Sequence, residues 1–321
     1  MAQKTQQHTF GGSIPENYDR YLGPLLMEPY AKDLARRLPA TGLRDVLELA
    51  CGTGILTRHL RERLAPETKL VATDVSEAML KIAKSKPGFS KPVEWKAVDA
   101  TSLPFKDSSF DVVVSQFGIM FFPDKEKALK EIFRVLRPGG KFIFNVWDKL
   151  EFNDFPQVAQ ETIKPIFDGN PPEFYGIPFG YHDHYVLRTE MRKAGFVDVA
   201  LATIEIKVQA AARDAAMGFV QGNPIADEIE KLGKSLAEVT DQVEQAMASG
   251  LGKKICKGRT RAIVIGGRKP GQLSKSAAPK AEPAKEAPRP KTKAAASKPP
   301  TTRVRKATAK PKPKPGVKRK A

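Results

Sequence analysis

Two carboxylates and two glycines stand at a spacing suited to holding a nucleotide. Glu48 lies inside the apolar run Val46–Leu49, and the small-residue turn Ala50-Cys51-Gly52-Thr53-Gly54 follows it. Asp74 closes the next apolar run, Lys69–Asp74, 20 residues after Gly54. Glycines at such a turn let the backbone bend sharply and come close to a ligand. A helix starting behind them points free N–H groups the same way. An acid at the end of the second strand can accept hydrogen bonds from ribose hydroxyls.

Those residues need a scaffold, and the apolar patterning supplies one. Strand-like runs at 46–50, 69–73, 93–98, 110–115 and 141–146 alternate with helical patterns at 54–64, 76–86 and 125–136. This alternation predicts an α/β fold, a Rossmann-like, doubly wound and mostly parallel sheet with helices on both faces. Ser76 fits the N-cap of helix 76–86. Pro138-Gly139-Gly140 reads as a helix stop and turn. A dinucleotide site is one alternative, but Thr57 stands where that pattern wants Gly or Ala.

The net charge of +18 is unevenly placed. Arg268–Ala321 carries 18 Lys+Arg against 2 Asp+Glu, which leaves 36 bases and 34 acids in residues 1–267. The body is near neutral and the tail strongly basic, an asymmetry typical of an appendage that meets an anionic partner. The two cysteines, Cys51 and Cys256, suggest neither a disulfide framework nor a Cys-based metal site. The polar N-terminus lacks a signal-peptide core, and the apolar stretch 110–122 is too short and too interrupted to span a membrane. A cytoplasmic protein with a reduced interior is the expectation.

The stretch Val46–Thr57 resembles motif I of the class I S-adenosylmethionine-dependent methyltransferases, in the type-11 group that includes quinone-biosynthesis C-methyltransferases. Thr73-Asp74-Val75-Ser76-Glu77-Ala78-Met79-Leu80 and Leu136-Arg137-Pro138-Gly139-Gly140 resemble that family's following segments. The resemblance implies a seven-stranded sheet with an antiparallel last strand and S-adenosyl-L-methionine as cofactor. It implies cofactor contacts at Glu48, Ala50, Gly52, Gly54, Asp74, Val75, Asp99, Ala100 and Gln116. In the family, the acid corresponding to Asp99 accepts from the adenine amino group, and the next residue's N–H meets the ring. A Tyr-Asp segment before the core closes over the cofactor there. Tyr18 and Tyr21 are therefore candidate cofactor- or substrate-facing residues, with helix packing as the alternative.

The expected activity is methyl transfer to a small-molecule acceptor. Ser115-Gln116-Phe117-Gly118 stands where base-methylating enzymes carry a Pro-Pro-aromatic signature. Phe117, Met120 and Phe121 could wall the methyl group or simply fill a strand end. No compelling base is evident, and Tyr18, Tyr21, His182 and His184 are the weak catalytic candidates. His182-Asp183-His184 lacks a zinc-like spacing, and Asp183 suits a helix cap. No metal is expected.

The remaining organisation expected is a flexible N-terminal arm (1–14), a methyltransferase domain (15–267) and a disordered Lys/Pro/Ala-rich basic tail (268–321). Substrate-side insertions are expected at 149–182, rich in aromatics and prolines, and at 209–250, read as two helices split at Gly222-Asn223-Pro224. Through the tail, contact with nucleic acid or another polyanion, and with it nucleoid association, is an expectation. A nucleic-acid-associated methyltransferase or a non-catalytic cofactor-binding protein is the alternative function.

Overall fold

The computed structural model describes residues 10–89, 91–168 and 172–271. The chain opens with α1 (Ile14–Asn17), a π-helical stretch (Tyr18–Met27) and α2 (Glu28–Arg36). Pro24 falls inside the π-helical stretch. Proline has no N–H to give and clashes with the preceding turn of an α-helix. The wider coil carries it, and residues 14–36 form three successive helical segments.

The alternating region follows: β1 (Asp45–Leu49), α3 (Ile55–Arg63), β2 (Lys69–Asp74), α4 (Glu77–Ser85), β3 (Glu94–Ala97), β4 (Phe110–Gln116), α5 (Lys125–Val135) and β5 (Leu136–Trp147). After it come α6 (Asp154–Ile163), α7 (Glu173–Gly176), α8 (His184–Lys193), β6 (Val197–Ala211), α9 (Ala212–Gln221), α10 (Ile225–Lys231), α11 (Leu236–Leu251) and β7 (Ile255–Arg268). The sheet has seven strands in the order β3-β2-β1-β4-β5-β7-β6. β1 to β5 pair in parallel, while β7 runs antiparallel to both β5 and β6. The strand order reverses between β1 and β4, the place where open α/β sheets bind ligands.

One face of the sheet packs Val46, Val112, Val114 and Ile143 against Leu34 of α2, Leu38 just after it, and Leu56 and Leu60 of α3. The other packs Leu47, Val113, Phe142 and Phe144 against Leu129, Ile132 and Met191 of α5 and α8. Strands buried on both faces explain the continuous apolar runs.

Four expectations shift. Phe10 and Ile14 pack against the body, so the part of the arm from residue 10 to 14 is ordered. Pro138-Gly139-Gly140 follows the end of α5 as expected, but it lies inside β5, where pairing with β4 jumps from Leu136 to Lys141 and hydrogen bonds join Gly139 and Gly140 to Lys269. The insertion at 209–250 holds three helices, because a second break falls at Leu232–Ser235, where Gly233 adopts a positive φ of 67°. The body also extends past 267: Arg268 pairs with Asp198, and the Lys269 ammonium donates to the Phe133 and Leu136 carbonyls at 2.8 Å. Beyond Gly271, the expectations of disorder and of polyanion contact lie outside the described residues. No helix among the described residues is long and apolar enough to cross a membrane.

Candidate active site

The parallel register brings the carboxyl ends of β1 to β4 to one edge. Glu48 pairs with Ala72 and Val114, and Asp74 with Ala97. The turns that follow therefore gather Ala50–Gly54, Val75, Asp99-Ala100 and Phe117 at the same end of the sheet.

The turn after β1 is tightly shaped. Ala50, Gly52 and Gly54 have φ of 52°, 54° and 78°. A Cβ on Gly54 would meet Ala83 at 3.1 Å and Trp95 at 3.2 Å, so only glycine fits that position and its left-handed backbone. A Cβ on Gly52 would meet nothing within 4 Å, so its backbone is open on that side. Asp74 bridges two turns: one carboxylate oxygen accepts the Gly52 amide and the other the Ser76 amide, each at 2.8 Å. Burial raises the Asp74 pKa, against the opposing pull of those amides. Ser76 caps α4 by accepting from the Met79 amide.

Glu48 is 1% exposed, and one of its oxygens is buried without a hydrogen-bond partner among the described residues. Burial, aided by the Asp74 charge and opposed by the Thr57 hydroxyl, pushes its pKa up to about 8. Gln116 donates to the Met27 carbonyl at 2.9 Å, which ties β4 to the end of the π-helical stretch. Its side-chain oxygen and the Asn145 amide nitrogen are also buried and unpartnered. Buried polar atoms are rarely left unpaired, so this cluster under the N-terminal segment is equipped for a polar guest. At the outer end, Val75 is 70% exposed. Asp99 is exposed and holds its own turn by accepting the Thr101 amide at 2.8 Å, while Ala100 is buried.

The N-terminal segment lies across this edge. The Phe10 carbonyl accepts from the Ser76 hydroxyl. Asp19 accepts from the Thr53 hydroxyl at 2.6 Å and from Lys86. Nothing in the sequence signalled this tie, because positions 19, 53 and 86 share no motif. Tyr18 stacks edge-on to Phe10, and burial with the Asp19 and Asp74 charges pushes its hydroxyl well above the usual range. Tyr21 instead lies against Gly218 of α9.

Aromatic rings in mutual contact lie next to this edge. Phe117 stacks on Trp147 with centroids 3.8 Å apart, and Tyr30 meets both edge-on. Phe10 meets Phe121 and Phe174, and Phe174, Tyr175, Phe179 and Trp147 follow one another in ring contact. The 149–182 insertion thus brings its rings to the exits of β4 and β5. The histidine cluster stands apart in character. Asp183 caps α8 by accepting from the Tyr185 and Val186 amides, His182 contacts the Phe179 carbonyl at 2.8 Å, and His184 is exposed. Among the described residues no group of three or more His, Cys, Asp or Glu is placed to hold a metal ion.

Residues 47–144 match a family model described as a methyltransferase domain. The ubiquinone/menaquinone biosynthesis C-methyltransferase UbiE of Cronobacter sakazakii is 32% identical over 172 residues, which cover 49% of this chain and 67% of that protein. The chain belongs to the class I S-adenosylmethionine-dependent methyltransferases. The demethylmenaquinone methyltransferase of Lactococcus lactis is 40% identical over 137 residues, 41% of this chain and 54% of that protein. The chain therefore spans about half to two thirds of the length of the curated relatives it matches. Phosphoethanolamine N-methyltransferase 2 of Haemonchus contortus, solved with S-adenosyl-L-methionine, shares the fold. Its TM-score is 0.52 at 18% identity, covering 83% of this chain and 58% of that one.

Proposed function

We propose that the chain methylates a planar, quinol-type small molecule held in the aromatic compartment beside the cofactor edge. The observation that carries this reading is the direct adjoining of two environments. Phe10 touches both Tyr18, which feels the Asp74 charge, and Phe121 and Phe174 of the ring-lined space. The names of the relatives point to the same acceptor class.

The residues at the sheet edge fit S-adenosylmethionine. Asp74 offers a carboxylate for ribose hydroxyls, Asp99 and the Ala100 amide offer an acceptor and a donor for adenine, and exposed Val75 offers an apolar face. Gly52 leaves room for close approach of the cofactor, and the unpartnered Glu48 oxygen suits its ammonium group. When bound, the cofactor supplies an electrophilic methyl on a sulfonium, and the electron pair of the broken S–CH3 bond stays on sulfur. The chain's own residues align the acceptor and exclude water during transfer, and the proton displaced from the methylated ring carbon then leaves to the buffer. Phe117, stacked on Trp147, makes a rigid wall at the exit of β4, and the Asp19 tie holds the N-terminal segment over the edge. Tyr18, kept protonated by its surroundings, is suited to donate a hydrogen bond and unsuited to act as a base.

The test is incubation of the full chain with S-adenosylmethionine and reduced 1,4-naphthoquinol bearing a short prenyl chain, read by mass spectrometry. The expected result is one added methyl on a ring carbon with matching formation of S-adenosylhomocysteine. Binding of the cofactor without methylation of any planar phenol or quinol would overturn the acceptor assignment.

A further inference from the structure

Two tyrosines are buried among the described residues, Tyr30 and Tyr175, and only Tyr30 has a hydrogen-bond partner there. The Tyr30 hydroxyl meets Thr260 at 3.0 Å, and the Tyr181 hydroxyl donates to Glu190. Tyr175, on α7, is 3% exposed, and its hydroxyl is fully buried with no hydrogen-bond partner among the described residues. Tyrosine hydroxyls normally find a partner when buried, because leaving one unpaired forfeits the water it gave up. Phenylalanine would fill the same space without that cost.

Tyr175 stands in a run of aromatic rings in mutual contact. It contacts Phe174 at 6.1 Å and stacks parallel to Phe179 at 6.3 Å, with interplanar angles of 68° and 16°. Phe174 in turn stacks on Phe121, just past β4, and Phe179 reaches Trp147 at the end of β5. The Tyr175 ring is therefore part of the wall nearest the exits of the central strands. Glu228 anchors α7 by accepting the Phe174 amide at 2.9 Å. Burial and the Glu228 charge both push the Tyr175 hydroxyl above its usual range, so it remains a donor throughout the neutral range.

We propose that Tyr175 is an acceptor-positioning residue, whose hydroxyl donates to an oxygen substituent of the planar ring bound in this compartment. The proposal rests on the reading of the chain as a methyltransferase of small ring compounds, and it adds the residue that selects for oxygen on the ring. A site built to hydrogen-bond a substrate oxygen discriminates against the analogue lacking it far better than apolar packing does.

The test compares the full chain with Tyr175→Phe, using 1-naphthol and naphthalene as probes at saturating S-adenosylhomocysteine, by calorimetry. Tyr175→Phe should weaken 1-naphthol about three- to tenfold, the worth of one neutral hydrogen bond. Naphthalene and S-adenosylhomocysteine affinities should stay unchanged, and thermal stability of the unliganded protein should be equal or higher. Equal weakening of both probes would overturn the proposal, as would unchanged 1-naphthol affinity or failure of the parent chain to bind 1-naphthol. So would a drop in Tm, which would mean that the hydroxyl already has a structural partner. The two readings separate cleanly. Loss of the 1-naphthol preference in Tyr175→Phe without any S-adenosylhomocysteine binding by the parent chain would overturn the methyltransferase reading and leave Tyr175 assigned to a ring-binding site.

Discussion

A Cβ placed on Gly118 would lie 2.4 Å from the Cβ of Ala50 and 2.8 Å from the Ser115 hydroxyl. The turns leaving β1 and β4 touch at this point, and both contain a non-glycine residue in the left-handed region, Ala50 at φ 52° and Phe117 at φ 50°. Backbone strain of this kind persists only where the surroundings enforce it, and it gathers at ligand sites. Gly118→Ala must push the two turns apart. The expected cost is about 1–3 kcal/mol, typical of overpacking, with a larger loss of cofactor affinity than a distant core change of equal cost would cause. Denaturant melts alongside S-adenosylhomocysteine titration check this.

The buried Glu48 predicts a pH dependence with a definite sign. Its pKa stands at about 8 in the folded protein against an ordinary 4.5. Between those values the folded state holds a proton that the unfolded state has lost. Its contribution to stability is complete below the unfolded value and is lost as pH rises through about 8. Glu48→Gln should flatten this slope and stabilise the unliganded protein above pH 8, by at most roughly 3–5 kcal/mol. Binding of a cationic cofactor beside Glu48 should also release a proton near neutrality. Calorimetry in buffers of different ionisation enthalpy should detect that release in the parent and not in Glu48→Gln.

The Asp19 tie predicts a local effect. Asp19→Ala removes the partner of Thr53 and Lys86 together. Hydrogen exchange should quicken across residues 14–27 while β1 and β2 stay protected. S-adenosylhomocysteine affinity should fall about tenfold, the worth of one charge-assisted hydrogen bond. Unchanged exchange in that segment would show that apolar packing alone holds it.

Asp183→Ala should lower Tm modestly by removing a double cap from α8 and leave methyl transfer unchanged, as should His184→Ala. A large loss of turnover in either would instead place the histidine cluster in the chemistry.

The central sheet and the Glu48–Gly54–Asp74 edge were legible in the sequence because they depend on local signals: apolar runs, glycine turns and an acid at a strand end. The resemblance then carried Asp99 and Ala100 to the same edge. What escaped depends on contacts between distant positions. Positive φ at Ala50 and Phe117 carries no compositional mark, because neither is glycine. Asp19 meets Thr53 and Lys86 only once the N-terminal segment has folded over. Nothing in the apolar spacing of residues 18–27 marks the π-helical coil that carries Pro24. Tyr175 reads as one aromatic among many until its hydroxyl is found without a partner.

The most direct measurement is calorimetric titration of the full chain, and of a chain ending at Gly271, with S-adenosylmethionine and S-adenosylhomocysteine. Asp74→Ala serves as the paired variant. Micromolar binding to both chains is expected, with at least about a tenfold loss in Asp74→Ala, since the carboxylate proposed for the ribose also accepts the Gly52 amide. Absence of binding to either chain, or binding indifferent to Asp74, would contradict the assignment of this edge as the cofactor site.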